Sequence, residues 1–222
     1  MNAETLLILL LGTLAMLILM LIIGIKYRMN LWKCFPVAVV LTIVGTIGTY
    51  LMYFVENASF EGSSYFGAVF FVPIVFIVFS KLIKIPYGDL LDLCAPAECI
   101  MLVLMKYQCL INGCCSGRML YLTPEGVAVM FPSQLVELIN AVVLMLVLMV
   151  MALSQKWRGK IYPWYLIIYG CTRFVLNWFR FTSPLLMGLP AGNLWSLVAI
   201  FIGVLWLTDR KIVIVKKRFL QE

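Results

Sequence analysis

Histidine does not occur anywhere in the 222 residues. That absence removes the side chain whose unperturbed pKa lies closest to neutrality, so no imidazole serves this chain as general base or metal ligand. Charge is scarce too: charged residues make up 12% and hydrophobic residues 64%, with a mean hydropathy of +1.05. This balance excludes a soluble domain of such length and implies an integral helical membrane protein. No soluble domain, linker or internal repeat interrupts the apolar runs, and the seven cysteines contain no Cys-x-x-Cys pair.

Windows of about 20 apolar residues, enough to cross a bilayer, predict an all-α, single-domain polytopic fold over residues 1–222. Seven helices are expected, near 4–25, 34–54, 66–80, 89–110, 132–153, 161–181 and 190–208. Pro73 and Pro96 are expected to kink the third and fourth, and Trp32, Trp157, Trp164 and Trp195 to anchor span ends. The net charge is +7. Most of the cations fall in alternate connections: Lys26, Arg28 and Lys33; Lys81 and Lys84; Lys156, Arg158 and Lys160; then Arg210, Lys211, Lys216, Lys217 and Arg218. The preference of positive loops for the cytosol then sets the N-terminus outside and the C-terminus inside. Glu4, Glu56, Glu61 and Glu125 fall on the outer side. The first span has no basic n-region and no small-residue cleavage site, so it is expected to be retained. The positive charge therefore describes topology and contact with anionic headgroups, not nucleic-acid binding.

Four cations do not fit that pattern: Lys106, Arg118, Arg173 and Arg180. At about 1.5 Å rise per residue, Lys106 falls in the last turn of the fourth span and Gln134 and Glu137 in the first two turns of the fifth. Arg118 lies in the loop between them. Tyr169, Arg173, Asn177 and Arg180 follow at spacings that share one face of the sixth helix. Snorkelling explains Lys106 or Arg180 singly, and a buried Arg173–Glu137 pair is the plain structural reading. That pair uses one cation and one anion and leaves Lys106 and Arg118 over. Guanidinium forks suit phosphate oxygens, so the set points to a lipid-phosphate site in the outer half of the membrane.

Among the cysteines, Cys34, Cys94, Cys99 and Cys171 read as small apolar helix residues. Cys109, Cys114 and Cys115 form the densest group. A thiolate-only zinc site needs four ligands, so no metal or other cofactor is expected. A loop staple to another cysteine and a covalent thiol intermediate stay open. The vicinal pair is not expected to bond to itself.

The stretch Asp92-Leu-Cys-Ala-Pro96 with Lys106-Tyr-Gln-Cys-Leu-Ile-Asn-Gly-Cys-Cys-Ser-Gly-Arg118 resembles the signature of prolipoprotein diacylglyceryl transferases. That signature runs D-x-x-A-P, nine residues, then G-R-x-G-N-F-I-N-G-E-x-x-G-R. Phe131-Pro-Ser-Gln-Leu-Val-Glu137 resembles the family's H-P-[ST]-x-L-Y-E. Tyr169-Gly-x-x-Arg173-Phe-x-x-Asn177-x-x-Arg180 resembles its Y-[GS]-x-x-R-F-x-x-E-x-x-R. The resemblance spans about 89–208, with the first helices alike only in length.

The resemblance implies transfer of the diacylglyceryl group of phosphatidylglycerol to the thiol of a lipobox cysteine in a preprolipoprotein. The place implied is the outer side of the bacterial cytoplasmic membrane. By motif position, Lys106, Arg118 and Arg173, with Arg180, would hold the phosphate. Asn112 would supply an amide hydrogen bond, and Gly113 and Gly117 would let the loop backbone approach the headgroup. Glu137 and Gln134 would position these groups or relay the thiol proton, with Tyr169, Asn177, Cys109 and Cys114 in support. The catalytic set implied is Arg173, Glu137, Lys106 and Asn112.

The departures are specific. Phe66, in Glu61-Gly-Ser-Ser-Tyr-Phe-Gly67, stands where the family's loop histidine is expected. Lys106 replaces an Arg and keeps charge without the fork. Cys109 replaces an Asn, and Cys114 and Asn177 replace carboxylates. Glu137 is left as the leading carboxylate base, with activation of the acceptor thiol by the surrounding cations as the other route. A related transferase with a different acceptor and a non-catalytic phospholipid-binding protein are the alternatives.

Overall fold

Seven helices and two short hairpins make up the computed structural model, which describes residues 3–115, 117–124, 126–180, 185–186 and 189–208. The helices are α1 (Ala3–Lys26), α2 (Cys34–Asn57), α3 (Phe66–Ile83), α4 (Tyr87–Ile111), α5 (Ser133–Ser154), α6 (Ile161–Asn177) and α7 (Ala191–Thr208). Strands β1 (Met119–Leu122) and β2 (Ala128–Met130) pair antiparallel between α4 and α5, and β3 (Leu185–Leu186) and β4 (Leu189–Pro190) pair before α7. Glu125 and the basic residues from Arg210 to Arg218 lie outside the described residues.

Five segments are long and apolar enough to cross a membrane: Leu6–Lys26, Leu31–Asn57, Phe66–Ile83, Ser133–Ser154 and Ala191–Thr208. Their outward faces are apolar. Leu7, Leu14 and Ile18 on α1, Ile43 and Ile47 on α2, and Leu146 and Val150 on α5 are exposed at helical spacing. Stripes of this kind belong against lipid. The protein is a multi-pass helical membrane protein.

α4 carries Asp89, Asp92, Glu98 and Lys106, and it occupies the interior: every residue from Asp89 to Cys99 is buried. α1, α3, α5 and α6 pack around it. Glycines set the closest helix crossings. A Cβ on Gly67 would stand 1.9 Å from the Gly48 carbonyl oxygen, so α2 and α3 meet backbone to backbone. Pro73 and Pro96 lie inside continuous helices. Pro73 has no N–H for the carbonyl of Val69 one turn earlier, and the Tyr162 hydroxyl donates to that oxygen at 2.9 Å instead.

The basic connections gather at one end of the bundle. Lys33 Nζ donates to the Lys84 carbonyl at 3.3 Å, and Gln155 donates to the Lys26 carbonyl at 2.5 Å. Arg158 forms a fork on Asp89, with contacts of 2.9 and 2.6 Å, and lies over the Tyr27 ring. Asp92, from the first sequence motif, accepts from the backbone N–H groups of Gly159 and Ile161 and from the Tyr27 hydroxyl. It thereby fixes the entry to α6 at the basic end.

Two expectations need correction. The sixth helix ends at Asn177, so Arg180 does not share its face with Arg173. The backbone of residues 179–180 pairs instead with the 117–118 segment: Arg118 N donates to the Phe179 carbonyl at 2.8 Å, and Gly117 bridges Arg180. The loop between the fourth and fifth spans contains the unexpected β1–β2 hairpin.

Candidate active site

At the end opposite the basic connections, four helices deliver polar side chains to one point. Glu137, in the second turn of α5 and nearly buried, is the centre. Its Oε2 receives Lys106 Nζ from the end of α4 in a close ion pair, and its Oε1 lies 2.8 Å from Arg173 Nη1 of α6. Arg180 Nε stands 3.8 Å from the same Oε1, so the residue past the helix end still reaches the cluster. The side chains of Lys106 and Arg173 retain only 12% and 13% exposure. Arg173 Nε is buried and has no hydrogen-bond partner among the described residues.

Glu56, at the end of α2, interacts electrostatically with Arg173 and Arg180 and accepts a hydrogen bond from Ser64 Oγ at 2.8 Å. Ser64 N in turn donates to the Thr49 carbonyl at 2.9 Å. These bonds lay the loop before α3 along the end of α2. Tyr169, one turn before Arg173, is buried with its ring against Tyr65 at 5.3 Å and Phe66 at 5.4 Å.

Arrayed this way, three cations share Glu137 and two of them, Arg173 and Arg180, interact with Glu56, so the cluster keeps an excess of positive charge. An unpartnered guanidinium N–H adds a directional donor. Such a site suits an anion with several oxygens, a phosphate above all.

The profile of the family described as prolipoprotein diacylglyceryl transferase matches residues 7–208. The chain belongs to this family. Among its relatives is a protein of Dehalococcoides mccartyi named phosphatidylglycerol–prolipoprotein diacylglyceryl transferase. It is 25% identical over 155 residues, 65% of this chain and 60% of that protein. Proteins of the same name from Geobacter sulfurreducens and Chlorobaculum tepidum are 32% and 30% identical over 59% and 54% of this chain, covering 53% and 44% of their own lengths. The chain thus spans about three fifths or less of the length of these relatives.

The remaining transferase-motif positions divide by place. Arg118 is exposed; its Nε donates to the Arg180 carbonyl at 3.1 Å and its N–H to Phe179, so it braces the rim. Asn112 and Gly113 are exposed at the end of α4, with Gly113 at φ +63°. Gly117 is buried, and a Cβ there would stand 2.3 Å from the Phe131 carbonyl oxygen; its bareness lets the loop pack against the start of α5. Gln134 Nε2 donates to the Cys114 carbonyl at 2.7 Å. Asn177 is buried and donates to Asn193 of α7, tying α6 to α7. Trp195, expected at a span end as an anchor, packs edge-on against Phe70 at 6.1 Å. Cys109 and Cys114 lie with Cys115 beside the pocket, and all seven cysteines are free thiols.

Glu56 is the residue that sequence reasoning missed at this end. In the sequence it is one acid among polar loop residues, and only the return of the 58–65 loop along α2 shows which cations it faces.

Proposed function

We propose that this protein transfers the diacylglyceryl group of phosphatidylglycerol to the thiol of a lipobox cysteine in a preprolipoprotein, within the cationic pocket at the outer end of the bundle. The observation carrying this reading is the set of largely enclosed cations Lys106, Arg173 and Arg180 around the buried Glu137, with Arg173 Nε unpartnered among the described residues. The names of the relatives support the same donor and acceptor. An outer position of the ion cluster is supported by the basic connections at the opposite end, given the cytosolic preference of such loops.

In this reaction the acceptor sulfur attacks a glycerol carbon, an S–C bond forms, and the C–O bond to phosphate breaks with its electrons on the leaving oxygen. Glycerol phosphate departs, and the thiol proton balances the charge released. Lys106, Arg173 and Arg180 stabilise the leaving phosphate as its charge grows. Glu137, with both oxygens engaged by cations, acts as the anion that gathers them. We assign the proton-accepting role to Glu56, which comes from the end of α2 and interacts electrostatically with Arg173 and Arg180. Tyr169, pressed between aromatic rings, walls the pocket toward α3.

The test uses the full chain in detergent with phosphatidylglycerol and a lipobox peptide, following peptide mass and released glycerol phosphate together. The expected result is a peptide heavier by one diacylglyceryl group with matching release. Release without peptide modification points to another acceptor, and bound lipid with neither signal overturns the transferase reading.

A further inference from the structure

We propose that Cys109, Cys114 and Cys115 form a three-thiolate binding site for monovalent copper at the mouth of the cationic pocket. The three Sγ atoms lie within 4.8 Å of one another. A trigonal centre with metal–sulfur bonds of about 2.3 Å needs sulfur–sulfur separations of about 4 Å, so closure takes movements under about an ångström. Cys114 and Cys115 are exposed and Cys109 is partly so, which leaves an entry path.

The backbone holds the three thiols together. Cys109 stands in the last turns of α4, and Cys114 N donates to its carbonyl at 3.2 Å. Gln134 clamps the Cys114 carbonyl from α5. Cys115 adopts φ +62°, a left-handed conformation that a non-glycine residue takes at a cost. The Cys109 thiol hydrogen-bonds to Cys115, and Arg180 and Lys106 lie within electrostatic reach of it.

A thiolate-only zinc site needs four ligands, one more than this group supplies. Three soft thiolates with no imidazole and no carboxylate in the group suit copper(I) instead. Binding replaces up to three thiol protons by one Cu⁺ and gives a complex of charge −2, which Lys106 and Arg180 offset. No electron is transferred, and all three sulfurs remain at the thiolate level. The inference stands on these cysteines whether or not the transferase reading holds.

The full chain, reduced, anaerobic and in detergent, is titrated with Cu(I) against a competing copper(I) chelator. Its X-ray absorption is then recorded and its free thiols counted with a maleimide. One ion per chain is expected to resist the chelator, with sulfur-only coordination. Bound Cu(I) is expected to protect Cys109, Cys114 and Cys115 while Cys171 still reacts. Cys109→Ser and Cys115→Ser should each weaken retention at least tenfold, and Cys171→Ser should leave it unchanged. Three findings overturn the proposal: no retained ion in the folded wild-type protein, retention undiminished in both site variants, or a centre dominated by nitrogen or oxygen. The Cys171→Ser control and the thiol count on wild type keep the result readable if a site variant fails to fold.

Discussion

Replacing Glu137 by Gln would leave Lys106, Arg173 and Arg180 facing one another without their shared anion. Removing one partner from a buried ion network costs about 3–5 kcal/mol, so Glu137→Gln should lower the melting temperature in detergent and abolish transfer. Glu56→Gln tests a different role. It should preserve folding and phospholipid binding while transfer at neutral pH falls roughly 100-fold, the scale of a lost general base; undiminished transfer would remove Glu56 from the proton path. Cys115 offers a readout by pH. Its thiolate persists above a pKa of about 5 and is lost as pH falls below it, so alkylation should already be fast at pH 6 and slow sharply near pH 4. Cys109→Ala removes the hydrogen bond responsible and should move that midpoint upward. At this scale the sequence was legible where a residue violated its surroundings. Lys106, Arg173 and Glu137 stood out as charges in apolar helices, and the structure joins them. Arg118 carried the same signal, but its place at the rim depends on the 117–118 segment pairing with 179–180, a long-range contact that no local spacing encodes.

Among the helices, glycines and Asp92 fix relations that hydropathy alone does not express. Gly67→Val would drive a side chain into the Gly48 carbonyl. Overpacking of that kind costs about 1–3 kcal/mol, and the expected outcome is a lower melting temperature even where expression survives. Asp92→Asn keeps the size of the side chain but weakens its acceptance of the Gly159 and Ile161 N–H groups. It should destabilise the entry to α6 by about 1–2 kcal/mol, with lipid affinity of the folded fraction retained, since the pocket lies at the other end. The spans themselves were readable because lipid demands about 20 apolar residues in a row. The end of α6 was not, because Trp178 and Phe179 prolong the apolar pattern past the residue where backbone pairing with residues 117–118 takes over. The β1–β2 hairpin escaped notice because its strands are only four and three residues long.

Taken whole, the bundle has one end with the basic connections and another with the Glu137 ion cluster, and the proposed topology puts the second outside. A membrane-impermeant maleimide should therefore label Cys114 or Cys115 on intact cells or right-side-out vesicles. In a chain with Cys109, Cys114, Cys115 and Cys171 replaced by Ser, Lys156→Cys should label only after permeabilisation. The reverse pattern would invert the molecule and place the pocket in the cytosol. The seven helices were legible because polar or charged connections bound each apolar run. Convergence of α4 and α6 on the carboxylate of α5, with Glu56 of α2 beside the arginines, was not, since helix order along a chain does not specify which ends meet.

The unpartnered Nε of Arg173 also bears on purification. A buried donor without an acceptor costs about 1–3 kcal/mol, and a filled pocket recovers that energy in addition to whatever the other cations contribute. Extraction in mild detergent should consequently yield protein that carries its own tenant, with phosphorus near one equivalent per chain. Arg173→Ala should come off the column stripped of it.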